Sequence, residues 1–301
     1  MQSIEAFQSK TAIEPIQWNI RSGIELYIKR DDLIDPMISG NKWRKLKHVL
    51  LDAKAKNKKT LVSFGGAFSN HLIALAAASA KFQFQSVGII RSDEGIPNNI
   101  CMRLCQSMGM KIIAVSRAAY RDKRSIFNEL YTNADDAYFI DEGGMSALAA
   151  LGMQESMSEH DDVFTDIILA SGTGCSTAGV LNYVHAKKLN TKVHTVVVHN
   201  GIDEVLENII NLSASTEQLV IHDTKELGRY AKHTPELLKF IVEFQKNTGI
   251  LIDPIYTGKA LYTLYKKLNN FEENSKILFI HTGGIWGNVG KVDAFNSIFS
   301  E

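Results

Sequence analysis

The sequence predicts an α/β protein built on buried parallel sheets. Short apolar, β-branched runs recur at residues 60–64, 86–90, 111–115, 137–140, 166–170, 193–198 and 276–281. Helical patterns at 69–80, 97–108, 121–131, 146–159, 176–188, 235–248 and 258–268 separate or follow them. The runs do not alternate strictly between apolar and polar, as expected of strands covered on both faces. At 301 residues the chain has room for two domains. It shows no internal repeat, low-complexity tract or flexible linker, so any domain border is compact.

In chain order, the first feature is a strand near residues 26–32, followed by Ser39-Gly40-Asn41-Lys42-Trp43-Arg44-Lys45-Leu46, which opens a helix running to about residue 55. A lysine in the first helical turn sits at the positive end of the helix dipole, which disfavours it by a few tenths of a kcal/mol or more. Either Lys42 belongs to the solvated start of an amphipathic helix, or its neighbours Arg44 and Lys45 and partial burial push it towards a neutral, nucleophilic amine. The remaining motifs favour the amine.

Ligands of parallel α/β folds bind where strands end and helices begin. Four such turns stand out. In Phe64-Gly65-Gly66-Ala67-Phe68-Ser69-Asn70-His71, two glycines permit close backbone approach and Ser69 or Asn70 caps the next helix; Asn70 and His71 either bond an anion or phenolic oxygen or serve plain turn chemistry. In Ser171-Gly172-Thr173-Gly174-Cys175-Ser176-Thr177, helix-start N–H groups and the hydroxyls of Thr173, Ser176 and Thr177 make a phosphate cradle, or else a tight turn. The glycine spacing matches neither the dinucleotide fingerprint nor a nucleotide P-loop, so a single terminal phosphate on a small cofactor fits better. Tyr256, in Asp253-Pro254-Ile255-Tyr256-Thr257-Gly258-Lys259, is either an acid, base or nucleophile in a cleft or a core-edge tyrosine. Thr282, in His281-Thr282-Gly283-Gly284, either meets a ring nitrogen or closes its strand.

Composition narrows the partners. Thirty-three basic and 33 acidic side chains leave no net charge to attract nucleic acid or an anionic membrane. Three cysteines are too few and too odd in number for a disulfide framework; Cys101 and Cys105, four apart on an expected helix, lack companions at metal-ligand spacing, so they are read as buried thiols and no metal is expected. Residues 1–10 carry no apolar run of signal-peptide length, and no segment reaches membrane-spanning length. The expectation is a cytoplasmic protein acting on a small molecule.

Taken together these strings resemble the pyridoxal-phosphate enzymes that include D-cysteine desulfhydrase and 1-aminocyclopropane-1-carboxylate deaminase. The resemblance spans nearly the whole chain, from Lys29-Arg30-Asp31-Asp32 to His281-Thr282-Gly283-Gly284. It implies the two-domain, three-layer parallel-sheet fold of the tryptophan synthase β-subunit, fold type II. Residues 1–45 and 147–301 would form a large cofactor domain, and 46–146 a small domain closing the cleft. It further implies pyridoxal 5'-phosphate on Lys42, its phosphate held by Lys45 and the loop Thr173, Gly174, Cys175, Ser176 and Thr177. Asn70 would sit at the ring oxygen and Ser69 near the substrate carboxylate, with Thr257 and Thr282 on the ring-nitrogen side. A homodimer is the family's usual state.

The deaminase carries Glu and Leu where this chain has Thr257 and Thr282, as the desulfhydrases do. A neutral hydroxyl supports ring-nitrogen protonation less than a carboxylate, which suits loss of a thiolate better than opening a cyclopropane. The expected activity is therefore β-elimination from a D-amino acid, D-cysteine foremost, with Lys42 or Tyr256 removing the Cα proton. Ring opening with Tyr256 as nucleophile or proton donor, and an inactive phosphate-ligand-binding relative, are the alternatives. Three departures from the family pattern are Phe68 in place of Gln, Cys175 in place of a small or hydroxyl residue, and a somewhat short chain. Phe68 bears on the identity of the substrate.

Overall fold

A computed structural model describes residues 3–7, 11–132 and 135–299. Met1, Gln2 and residues 8–10, part of the stretch read as carrying no signal peptide, lie outside the described residues. The chain runs β1 (Ile13–Ile16), β2 (Glu25–Lys29), α1 (Asn41–Ala55), β3 (Thr60–Gly65), α2 (Asn70–Phe82), β4 (Gln85–Arg91), α3 (Ile100–Ser107), β5 (Lys111–Val115), α4 (Lys123–Leu130) and β6 (Ala137–Ile140). It continues α5 (Ala147–Gln154), β7 (Asp166–Ser171), α6 (Cys175–Lys187), β8 (Lys192–Val197), α7 (Ile202–Leu212), β9 (Leu219–His222), α8 (Pro235–Thr248), α9 (Thr257–Lys266), β10 (Lys276–Ile280) and α10 (Val292–Phe299).

The strands form two sheets. One has the order β1-β2-β10-β7-β8-β9 and the other β5-β4-β3-β6. Every pairing is parallel except that of β1 with β2. The seven expected runs, and the one near 26–32, all became strands; β1, β9, α7 and α10 come in addition.

Burial on both faces explains the missing alternation. Along β7, Ile168 and Ala170 enter the core under α8 and α9, whereas Ile167 and Leu169 enter the opposite core against α6 and α7. In the smaller sheet Leu61 and Ile90 face a cluster with α1, α2 and α3, and Val62, Phe64 and Ile89 face Tyr120 and α4. Side chains mark the helix starts as sequence chemistry requires: Ser69, Asn99, Asp122, Ser146 and Thr234 each accept a backbone N–H in the first turn.

Helix α5 joins the two halves of the site. Its Gly152 lies so close to α1 that a Cβ would stand 1.9 Å from the Arg44 carbonyl oxygen. Gly179 on α6 approaches α5 in the same way, a Cβ there meeting the Ala150 carbonyl oxygen at 2.4 Å. Backbone thus packs on backbone from α1 through α5 to α6. Gly152→Ala is expected to force α1 and α5 apart and lower the unfolding free energy by about 1–3 kcal/mol or more, as measured by urea titration.

A polar relay crosses the large sheet. Lys267 Nζ donates to His222 Nδ1 at 3.0 Å, the His222 and His194 rings are joined at 2.9 Å, and His194 Nε2 meets Asp166 at 2.8 Å. An ammonium can only donate and a carboxylate only accept, so every bond is satisfied with both imidazoles neutral. Burial, then the charge of Lys267, pushes His222 from 6.5 to about 4. Between those values the unfolded chain holds a proton that the folded chain refuses. Stability that is complete above pH 6.5 is therefore lost as the pH falls towards 4. His222→Gln should make the decline in urea stability from pH 7 to pH 5 shallower than in the parent.

Candidate active site

The site lies where α1, α2, α6 and the turn after β10 converge at strand ends. Gly40 enters α1 with φ 62° and ψ −140°. A Cβ at Gly40 would fall 2.1 Å from the Thr282 carbonyl oxygen, so only glycine lets the start of α1 dock on the end of β10. The Asn41 N–H then donates to that carbonyl at 3.1 Å. Asn41 fixes two more groups: its Nδ2 donates to Ser176 Oγ at 3.0 Å, and its Oδ1 accepts from Lys42 Nζ at 2.8 Å.

Lys42 is the second residue of α1. Burial, then the positive charge of Lys45, lowers its pKa from 10.5 to about 7, while Cys175 and Asp253 act in the opposite sense. Near neutral pH much of it is free amine. Lys45 is buried, its pKa is lowered by burial, and its ammonium donates to the Gly143 carbonyl at 3.3 Å.

Ser69 caps α2, its Oγ accepting from Leu72 N at 3.2 Å, which leaves its own proton to donate. The capping role and the ligand role posed by the sequence are thus compatible. His71 is the residue that the sequence pairs with Asn70 as a partner for an anion or a phenolic oxygen. Its Nε2 lies 2.8 Å from Ser63 Oγ, which also lies 2.8 Å from the Ile140 carbonyl oxygen. Ser63 has one proton for that carbonyl, so the ring donates from Nε2 and its Nδ1 is a bare lone pair. Burial and the charges of Lys42 and Lys45 lower its pKa to about 3, so it remains neutral and cannot serve as a general acid at working pH.

Gly174 caps α6 in the left-handed region with φ 85°. The first-turn N–H groups of Cys175, Ser176 and Thr177 have no carbonyl four residues upstream within the helix. Cys175 is fully buried, its Sγ 3.7 Å from the Ser146 carbonyl. The Thr177 hydroxyl is paired with Thr195 Oγ1 at 2.8 Å, so what Thr177 presents at the helix start is its backbone N–H. Thr257 is likewise engaged: its hydroxyl donates to Asp253 Oδ1 at 2.7 Å and accepts from Asp253 N at 2.9 Å. Asp253 also accepts from the N–H groups of Ile255, Tyr256 and Thr257, and burial raises its pKa in spite of these donors. The Thr282 hydroxyl has no hydrogen bond to a described residue.

Tyr256 stands against the α6 loop: a Cβ on Gly172 would be 3.3 Å from its Cε1. Its hydroxyl meets that of Tyr230 at 2.8 Å. Burial, then Tyr230, raises its pKa well above 10.0, so the phenol keeps its proton. Tyr230 had no sequence signal; it lies in an irregular loop whose Gly228 and Arg229 carbonyls are held by the buried Lys259 ammonium at 2.8 and 3.1 Å. Asp253 did have one, an acid four residues ahead of a helix-opening Thr-Gly.

Three buried polar atoms here have no partner: Asn70 Oδ1, His71 Nδ1 and Thr173 Oγ1. Buried polar groups are normally bonded, so these point to a polar ligand. A family profile described as "Pyridoxal-phosphate dependent enzyme" matches residues 5–283. The chain belongs to that family. Pyridoxal phosphate is accordingly its cofactor, and a depressed lysine amine, a second buried lysine and a helix-start cradle fit that group. Among the described residues no cluster of three or more His, Cys, Asp or Glu is placed to hold a metal, and no described helix is long and apolar enough to cross a membrane.

The similar proteins agree with this placement. The bifunctional D-cysteine desulfhydrase/1-aminocyclopropane-1-carboxylate deaminase of Arabidopsis thaliana is 32% identical, over 94% of this chain and 78% of that protein. A putative 1-aminocyclopropane-1-carboxylate deaminase of Pyrococcus horikoshii is 31% identical over 88% of this chain and 86% of that protein. A solved ACC deaminase homologue superposes with a TM-score of 0.85 at 28% identity, covering 99% of this chain and 96% of that one. The α/β parallel-sheet architecture is thus that of fold type II.

The amine environment gives a direct test. Borohydride trapping of pyridoxal, which lacks the phosphate, by the cofactor-free protein should rise with pH about a midpoint near 7. Lys45→Met should move that midpoint upward, because it removes a positive neighbour.

Proposed function

We propose that this enzyme is a lyase that eliminates a leaving group from Cβ of a small D-amino acid, D-cysteine foremost, releasing hydrogen sulfide, pyruvate and ammonia. The observation that carries the reading is the pair Thr257 and Thr282. When bound, the cofactor supplies a sink for negative charge at Cα, whose strength depends on what faces its ring nitrogen. Thr282, whose backbone carbonyl accepts from the Asn41 N–H next to Lys42, would offer a neutral hydroxyl there. Thr257 is held by Asp253, and the Asp253 carboxylate is itself occupied in capping α9. A weaker sink suits a reaction in which a thiolate departs as charge builds.

The chain's own groups divide the work. Lys45, the Thr173 hydroxyl and the first-turn N–H groups of α6, with Gly174, Cys175, Ser176 and Thr177, hold the phosphate. Asn70 meets the ring oxygen, and Ser69 donates to the substrate carboxylate. Lys42 carries the cofactor and takes the Cα proton, for which an amine with a pKa of about 7 is well matched. Tyr256, kept protonated, is a donor rather than the base. Residues 46–146 form the smaller domain, which closes over the cleft and excludes water.

The test is an absorbance spectrum and product assay with D-cysteine, L-cysteine and aminocyclopropane carboxylate. A visible cofactor band lost in Lys42→Ala, with sulfide and pyruvate from D-cysteine alone, is the expected result. Formation of 2-oxobutyrate from aminocyclopropane carboxylate with no sulfide from D-cysteine would replace elimination by ring opening, an activity that the Arabidopsis relative's name also includes.

A further inference from the structure

Phe68 immediately precedes Ser69 and Asn70, yet it is 42% exposed. Gly290, in the segment after β10, lies directly against it: a Cβ there would be 3.0 Å from the ring Cδ1 and 3.2 Å from Cε1 and Cγ. The same segment follows the start of α2, since a Cβ on Gly284 would come within 3.8 Å of Asn70 Nδ2, and Trp286 packs against the core shared by α1 and α2. Backbone therefore covers one part of the ring, and the rest stays open beside the first turn of α2. Asn99 Nδ2 donates to the Ala67 carbonyl at 3.1 Å, which draws in Ile96, on the loop before α3, and Ile100, the first residue of α3, 45% and 51% exposed. A glutamine at position 68 would present an amide to a bound amino acid. A phenyl ring presents only apolar area, whose burial by a ligand is favourable and grows with the ligand's own apolar area.

We infer that Phe68, backed by Gly290, is a specificity-determining wall selecting D-cysteine S-conjugates whose sulfur carries an apolar alkyl group. The inference rests on the elimination reading. Lys42 takes the Cα proton, the Cβ–S bond breaks, and its electron pair leaves with sulfur, which picks up a proton to depart as an alkyl thiol. Water then displaces nitrogen from the remaining three-carbon unit, giving pyruvate and ammonia.

The test is kcat/KM for pyruvate release from S-methyl-, S-ethyl- and S-propyl-D-cysteine, with D-cysteine alongside. The three thiols have nearly the same acidity, so the trend with chain length reports burial rather than leaving-group chemistry. The parent should gain up to about fourfold per methylene. Phe68→Leu should keep a rising series and Phe68→Gln should flatten it, whereas a ring that only held the loop in place would shift every substrate equally. Gly290→Ala, which pushes the ring away, should also disturb the slope. A flat or falling series in the parent, or an unchanged slope in Phe68→Gln, overturns the inference. Pyruvate from D-cysteine with none from the S-alkyl series overturns it while the elimination reading stands; pyruvate from no member overturns both.

Discussion

Two amines share one dry turn at the start of α1, and much of the surrounding structure exists to make that arrangement tolerable. Burial disfavours the charged form of each, and the charge of Lys45 further disfavours that of Lys42. The observed resolution is unequal. Lys42, with Asn41 as its neutral hydrogen-bond partner, is lowered to about 7, whereas Lys45 points its ammonium at the Gly143 carbonyl. No carboxylate is spent on either amine in the same turn. Arg44, between them in sequence, faces away into a buried pair with Asp31 at 2.9 Å. The carboxyl group felt by Lys42 is that of Asp253, whose oxygens accept from the turn entering α9 and from the Thr257 hydroxyl. A free acid beside Lys42 would restore its proton and cost the site its nucleophile.

Holding that turn in place is mainly a matter of backbone contact. Gly40 on Thr282, Gly152 on Arg44 and Gly179 on Ala150 are positions where a single extra carbon would overlap a carbonyl. Close-packed interiors transmit small displacements instead of absorbing them. The Lys42 amine and the start of α6 are therefore set relative to one another by three glycines.

Much of this was legible in the sequence, for identifiable reasons. Doubly buried strands and capped helices leave strong local patterns, and the Lys42, Ser69–Asn70 and Thr173–Thr177 strings sit at strand ends or helix starts where ligands bind. β1 and β9 were not legible: each is four residues long, lies at a sheet edge and is mostly half-buried, so its pattern is weak. α7 has an apolar stripe of Ile202, Val205 and Ile209, but it begins at Gly201 without a side-chain cap. Hydroxyl direction was beyond reach as well. Thr177 and Thr257 stand in the right strings, yet each hydroxyl is committed to another protein group, a choice made by Thr195 and by Asp253. The His71 lone pair depends on Ser63 and Ile140, which share no motif with it.

The strand order carries a consequence for how the molecule comes into being. The smaller sheet draws on one continuous stretch, β3 to β6, and needs no distant partner. The larger sheet pairs β2 with β10, so β2 waits for a partner about 250 residues away before it is enclosed on both sides. Pairings of such sequence separation are slow, and domains of a nascent chain form largely in the order in which they are made. The turn bearing Lys42 docks on Thr282, at the far end of β10. During synthesis, then, Lys42 emerges long before the surface on which its turn docks.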